Sequence, residues 1–149
     1  MKFKVRISNN ETKKQLEDIF EKIGFEITEE ADLIIIEEDP ITDMLIGKLD
    51  EVYYPIKTEN IILIESFGHD IFCVTVDGKF IIKEKLKYLE YVLDSRQFIR
   101  INKSMIINKN KIKSVSSAVG LKFKIVLNQN NVVYVNRTYY YGFKEFIGI

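Results

Sequence analysis

The sequence is 149 residues long, 46% hydrophobic, 30% charged and 12% aromatic, with 22 Lys/Arg balanced by 22 Asp/Glu. That supplies enough apolar material for a folded core, and only seven Gly and two Pro exclude the disordered, collagen-like and low-complexity classes. The longest aliphatic runs, residues 33–36 and 61–64, are too short to span a bilayer, and residues 1–14 carry charges with no apolar stretch of a signal peptide. A single cysteine, Cys73, cannot form an internal disulfide, which fits a cytoplasmic chain. One Cys and one His cannot supply the ligands of an ordinary zinc site, so no metal is expected.

In chain order, residues 2–7 alternate charged side chains with Phe3, Val5 and Ile7, the period of a half-buried strand. Asn9 or Asn10 then caps a predicted helix whose apolar face is Leu16, Ile19, Phe20 and Ile23, closed by Gly24. Residues 25–27 and 32–37 predict two more strands, and Pro40 is expected to open a short helix through about Leu49. Residues 55–60 predict a polar boundary between two domains. Beyond it come predicted strands at 61–65, 71–76 and 79–82, with turn signals at Phe67-Gly68-His69-Asp70 and Asp77-Gly78. A helix over 83–93, with Leu86, Tyr88, Leu89 and Val92/Leu93 as its apolar stripe, precedes strands at 98–101, 105–107, 112–115, 121–127 and 132–135. A last short helix is predicted over 137–147. The fold class expected is α+β, a small αβ unit over 1–56 followed by a mostly β domain over 57–149.

The charge balance of zero hides a strong asymmetry. Residues 1–60 hold 8 Lys/Arg and 15 Asp/Glu, whereas residues 61–149 hold 14 and 7. Within 94–144 ten basic residues face one acid, Asp94. A basic segment of this kind attracts phosphate backbones or anionic membranes, with a merely solvated face as the alternative.

No pattern points to catalysis or a cofactor. Ser66, His69 and Asp70 fall within one hairpin turn, whereas triad members meet through the fold. Glu37, Glu38, Asp39 and Asp43 lack calcium-loop spacing, and Gly68, Gly78 and Gly120 are isolated turn glycines. Cys73 alternates within a strand and is expected to be a small buried hydrophobe.

Three blocks carry a resemblance. Ile61-Ile62-Leu63-Ile64-Glu65-Ser66 forms an apolar strand ending in Glu and a small polar residue. Phe98-Ile99-Arg100-Ile101-Asn102-Lys103-Ser104-Met105-Ile106-Ile107-Asn108, followed by Ile112, is the most specific, and Val135-Asn136-Arg137-Thr138-Tyr139 is the third. Together they resemble the LytTR-type DNA-binding domain of bacterial transcription regulators, over about residues 58–149. Asn102 stands where the family often has His, and Asn136 where it often has Ser. The resemblance implies a β-rich module that inserts loops into successive major grooves of duplex DNA and reads direct repeats as a pair of subunits.

Carried over by block, Lys103 and Arg137 are the base-reaching candidates, and His69 in the first hairpin is a weaker transfer because loop length varies there. Asn102 belongs to the same turn as Lys103. Arg100 is expected to contact phosphate or to support the fold, and Lys109 and Lys113 to meet phosphate. The family's response regulators carry a receiver domain about twice as long as the first sixty residues. Here Glu37 takes the place of the phosphorylated aspartate and Ser8 and Asn9 that of the acidic pair, so no phosphorylation switch is expected. The N-terminal unit is instead expected to hold a homodimer or to bind a regulatory protein. The expected function is a sequence-specific duplex-DNA-binding regulator in the bacterial cytoplasm; the alternative is a protein-interaction module on the same fold.

Overall fold

The computed structural model describes residues 1–7, 9–36 and 41–149, which fall into two compact units, Met1–Asp39 and Pro40–Ile149. Ser8, Glu37, Glu38, Asp39 and Pro40, on which several expectations rest, lie outside the described residues.

In the first unit, β1 (Lys2–Arg6) is the centre of a three-stranded parallel sheet, flanked by β2 (Glu26–Ile27) and β3 (Leu33–Ile36). The helix α1 (Asn10–Lys22) starts where Asn9 places its side-chain oxygen 3.0 Å from the Glu11 N–H and 3.1 Å from that of Thr12. These bonds satisfy two of the donors that a helix N-terminus leaves free. Gly24 follows at φ +92°, a conformation that a Cβ would oppose. Phe3 stacks on Phe20 and packs against Phe25, but only Phe3 and Val5 are buried among the described residues of this unit.

The second unit carries a seven-stranded antiparallel sheet in the order β5-β4-β8-β7-β6-β10-β9. Its strands are β4 (Met44–Leu49), β5 (Val52–Lys57), β6 (Ile61–Phe67), β7 (Asp70–Thr75), β8 (Gly78–Ile82), β9 (Phe98–Asn102) and β10 (Met105–Asn108). A second sheet, β11 (Ile112–Ala118), β12 (Lys122–Leu127) and β13 (Asn131–Val135), is antiparallel throughout. Two helices complete the unit, α2 (Leu86–Val92) and α3 (Tyr140–Ile147).

Strand alternation sends apolar side chains to both faces of the large sheet, so two cores form. One buries Ile64, Cys73, Phe80 and Ile106 beneath Leu86, Leu89 and Val92 of α2. The other buries Ile62, Leu63, Ile101 and Ile107 against Phe123, Ile125, Leu127 and Val135 of the small sheet and Phe143 of α3. Asn108 is fully buried where β10 leaves the sheet. Its Nδ2 donates to the Ile61 carbonyl at 2.9 Å and its Oδ1 accepts from the Asn110 N–H at 3.0 Å, so no polar atom is stranded.

One expectation is corrected. The segment expected to be a helix up to Leu49 is β4, which runs into a hairpin with β5 across Asp50 and Glu51 at φ 48° and 64°. The polar stretch expected as a domain boundary, residues 55–60, is therefore half strand, and β4 pairs onward with β8 through Lys48 and Ile81. The compact division falls at residues 39 and 40, so the hairpin belongs with the β-rich unit. Gly47 explains how the hairpin seats: a Cβ there would lie 2.5 Å from Ile56 Cδ1 and 2.6 Å from Phe80 Cβ. Only a glycine allows that approach.

Candidate nucleic-acid interface

Strand directions decide which turns share an end of the β-rich unit. β10 runs antiparallel to β6 with Met105 opposite Glu65, and the Ser66 N–H donates to the Ser104 carbonyl at 2.7 Å. The β6–β7 turn, with Gly68 and His69, therefore stands beside the β9–β10 turn, with Lys103 and Ser104. Adjacent hairpins of one sheet put their turns about 10 Å apart, two strand spacings. The small sheet joins the same end, because the Asn136 N–H donates to the Ile101 carbonyl at 3.0 Å and Asn102 Nδ2 to the Tyr134 carbonyl at 3.3 Å. Arg137 follows immediately, as the first residue of a 3-10 turn. His69, Lys103 and Arg137 are all exposed. Among the described residues no carboxylate pairs with any of the three.

Two other expected site residues are occupied in shaping this end. Arg100 donates from Nε to the Asn102 carbonyl at 3.2 Å, from Nη2 to the Lys103 carbonyl, and from Nη1 to Glu90 Oε2 at 3.0 Å. Its guanidinium thus holds the backbone of the turn that presents Lys103, and the planar fork makes three such bonds compatible. Asn102 Oδ1 accepts from the Ser104 N–H at 2.9 Å and from Ser104 Oγ at 3.0 Å, an Asx turn that fixes the hairpin tip. Both are positioning residues of the turn. Of the two roles the sequence offers for Arg100, these contacts match support of the fold.

Lys109 and Lys113 are not brought to this end. Lys109 lies past the far end of β10, where its Nζ donates to the Phe146 carbonyl at 3.2 Å and lies over the Phe146 ring. Lys113 sits near the start of β11, a strand's length from the Ala118 end. Lys122 and Lys124, which sequence reasoning passed over, are exposed on β12 beside β13. Their alternation with buried Phe123 and Ile125 was the available signal.

The arrangement can offer a cation fork, an ammonium and an imidazole from three neighbouring turns. Arg and Lys suit guanine edges or phosphates, and all three side chains can donate hydrogen bonds. Among the described residues no His, Cys, Asp and Glu cluster is arranged to hold a metal ion, and no helix is long and apolar enough to cross a membrane.

The chain is 29% identical over 102 residues to the transcriptional regulatory protein LytR of Staphylococcus aureus (strain N315), an alignment covering 68% of this chain but only 42% of LytR. It therefore spans less than half the length of that relative. Identity of 29% over 105 residues links it to an uncharacterised HTH-type transcriptional regulator of Staphylococcus aureus (strain NCTC 8325 / PS 47), covering 70% of this chain and 71% of that protein. A solved LytTr DNA-binding domain from Bacillus cereus superposes with a TM-score of 0.70 at 21% identity, over 72% of this chain and 99% of that one, which establishes the fold. Residues 51–148 match the LytTr DNA-binding domain family, and the chain belongs to that family.

Proposed function

We propose that this protein is a cytoplasmic bacterial transcription regulator that reads duplex DNA with the turns carrying His69, Lys103 and Arg137. One observation carries the reading: three exposed basic side chains, from turns distant in sequence, meet at one end of the β-rich unit. In this reading Arg137 reads a guanine through its bidentate fork, Lys103 meets a base or a phosphate, and His69 adds a third contact. Arg100 and Asn102 act through the turn they hold, and Lys109 and Lys113 have at most a peripheral part.

The N-terminal unit supports a second half of the proposal, a homodimer placing two such ends on direct repeats. Leu33, Ile34 and Ile36 of β3 are 50%, 49% and 67% exposed along an open sheet edge, where a second copy could pair. A regulatory protein would be the competing occupant.

Gel shifts of the full chain on genomic fragments test the reading. Binding should select particular duplexes and weaken steeply as salt rises. Arg137→Ala should lose about ten- to a hundredfold in affinity with relaxed preference at one base pair, whereas Lys109→Ala should bind as the parent does. Sequence-blind binding, or equal losses at both positions, would refute it.

A further inference from the structure

The hairpin joining β11 to β12 ends in Ala118-Val119-Gly120-Leu121-Lys122, and Val119 is 96% exposed, with Leu121 39% exposed beside it. Hairpin tips ordinarily carry Asn, Asp or Gly, because the tight turn needs left-handed backbone. Here Gly120 has φ +85° and Leu121 φ +55°, so an apolar residue occupies a position that disfavours it. A single exposed valine is unremarkable on a protein surface, so exposure alone carries no role. Placement does.

β12 pairs with β13 so that Phe123 lies opposite Val135. β13 ends at that pair: Asn136 turns its N–H to the Ile101 carbonyl and Arg137 opens a 3-10 turn, while β12 begins just beyond at Lys122, so the β11–β12 turn and Arg137 leave the small sheet at one end. The tip therefore projects from the same end as Arg137, as the next element outward in the small sheet. Its surroundings are basic. Residues 112–136 contain Lys113, Lys122 and Lys124 and no acid, and Lys124 lies between Ser116 and Tyr134 across the strands. A protein partner would meet an uncompensated cationic ribbon here, whereas a DNA backbone would neutralise it.

We propose that this hairpin is a further DNA-contacting element, in which Val119 packs on a thymine C5-methyl beside the base read by Arg137 and Lys122 meets the adjoining phosphate. Apolar contact with that methyl is the one way an aliphatic side chain reads sequence in a major groove. The proposal rests on the regulator reading above and adds a specificity determinant to it. Because Val119 touches no core, its replacement leaves the fold unaltered.

The test starts from duplexes selected by the full chain out of a random library. In the selected duplex, thymines are replaced one at a time by deoxyuracil, which removes only the methyl. The parent chain should lose about three- to fivefold in affinity at one position flanking the base pair relaxed by Arg137→Ala, as expected for one buried methyl. Val119→Ser should bind thymine and uracil duplexes alike, and Lys122→Ala should lower the salt slope by about one. A parent chain that selects sequence but is indifferent to every such exchange overturns this inference and leaves the regulator reading standing, as does a Val119→Ser chain that keeps the parent's methyl dependence. A parent chain that selects no sequence overturns both.

Discussion

The two units solve the problem of burying apolar strands differently. In Pro40–Ile149, the central sheet is covered by α2 on one face and by the small sheet with α3 on the other, except at its β5-β4-β8 end where Ile46, Tyr53 and Ile81 are exposed, and side chains such as Ile64, Ile101, Ile107 and Phe143 are wholly buried. In Met1–Asp39, a parallel sheet has one helix, and α1 buries none of its own residues completely. Parallel strands read as continuous apolar runs because both their faces are normally enclosed, and Leu33-Ile34-Ile35-Ile36 has that character. Yet three of those four are exposed. Charge follows the same line: Met1–Asp39 holds 6 Lys/Arg against 11 Asp/Glu, and Pro40–Ile149 holds 16 against 11. The comparison teaches that the β-rich unit has what it needs for a stable core, whereas the N-terminal unit has apolar surface in excess of its cover.

The largest effect expected from this difference is at Phe143, which packs 5.5 Å from the Phe123 ring at the centre of the second core. Phe143→Ala should destabilise the β-rich unit by about 3–5 kcal/mol, the lost transfer energy plus the cavity left behind. All eight tyrosines lie in this unit, so tyrosine fluorescence during urea unfolding reports on it alone. Phe3→Ala should leave that tyrosine transition in place. A matching loss from Phe3→Ala would mean the two units unfold as one, and the contrast would collapse.

A smaller effect concerns the uncovered strand. If β3 is the surface on which a second copy pairs, Ile34→Lys should weaken self-association at least about tenfold, since it buries a charge in an apolar contact. Sedimentation of the full chain across micromolar concentrations reads this directly. A parent chain that stays monomeric over that range removes the dimer and points to another occupant.

The smallest effect sharpens the claim that the β-rich core is closed. Burial, with the nearby Glu84 charge adding to it, pushes the Cys73 thiol up from its usual 9.0 to about 12. In the unfolded chain the thiol ionises near 9, while the folded chain keeps it protonated. Its contribution to stability is thus complete below pH 9 and declines as the pH rises from there toward 12. Iodoacetamide at pH 9 should alkylate Cys73 slowly in the native chain and rapidly in urea. Fast native labelling would show that the core opens far more often than its packing implies.

Much of this molecule is written in local pattern. Period-two alternation marked β1, short apolar runs between turn signals marked the strands from β6 onward, Asn9 and Gly24 bracketed α1, and the run from Phe98 to Asn108 identified the family. The β4–β5 hairpin was not legible. Its turn, Asp50-Glu51, lacks the Gly or Asn that two left-handed residues normally require, so the pairing with β8 and the close approach at Gly47 override local preference. At the candidate interface the residue types of Lys103 and Arg137 could be read, but not their company.

The sequence by itself determined most element types outside the β4–β5 hairpin, the basic character of the C-terminal half and the family, because each depends on neighbours a few residues apart. Tertiary structure alone decided that Arg100 and Asn102 bond the turn of Lys103, that Lys109 and Lys113 stand apart from it, and that the Val119 hairpin leaves the small sheet at the end where Arg137 follows. Those facts rest on hydrogen bonds and strand registers between segments far apart in the chain. No local pattern encodes such distances; only the paired strands do.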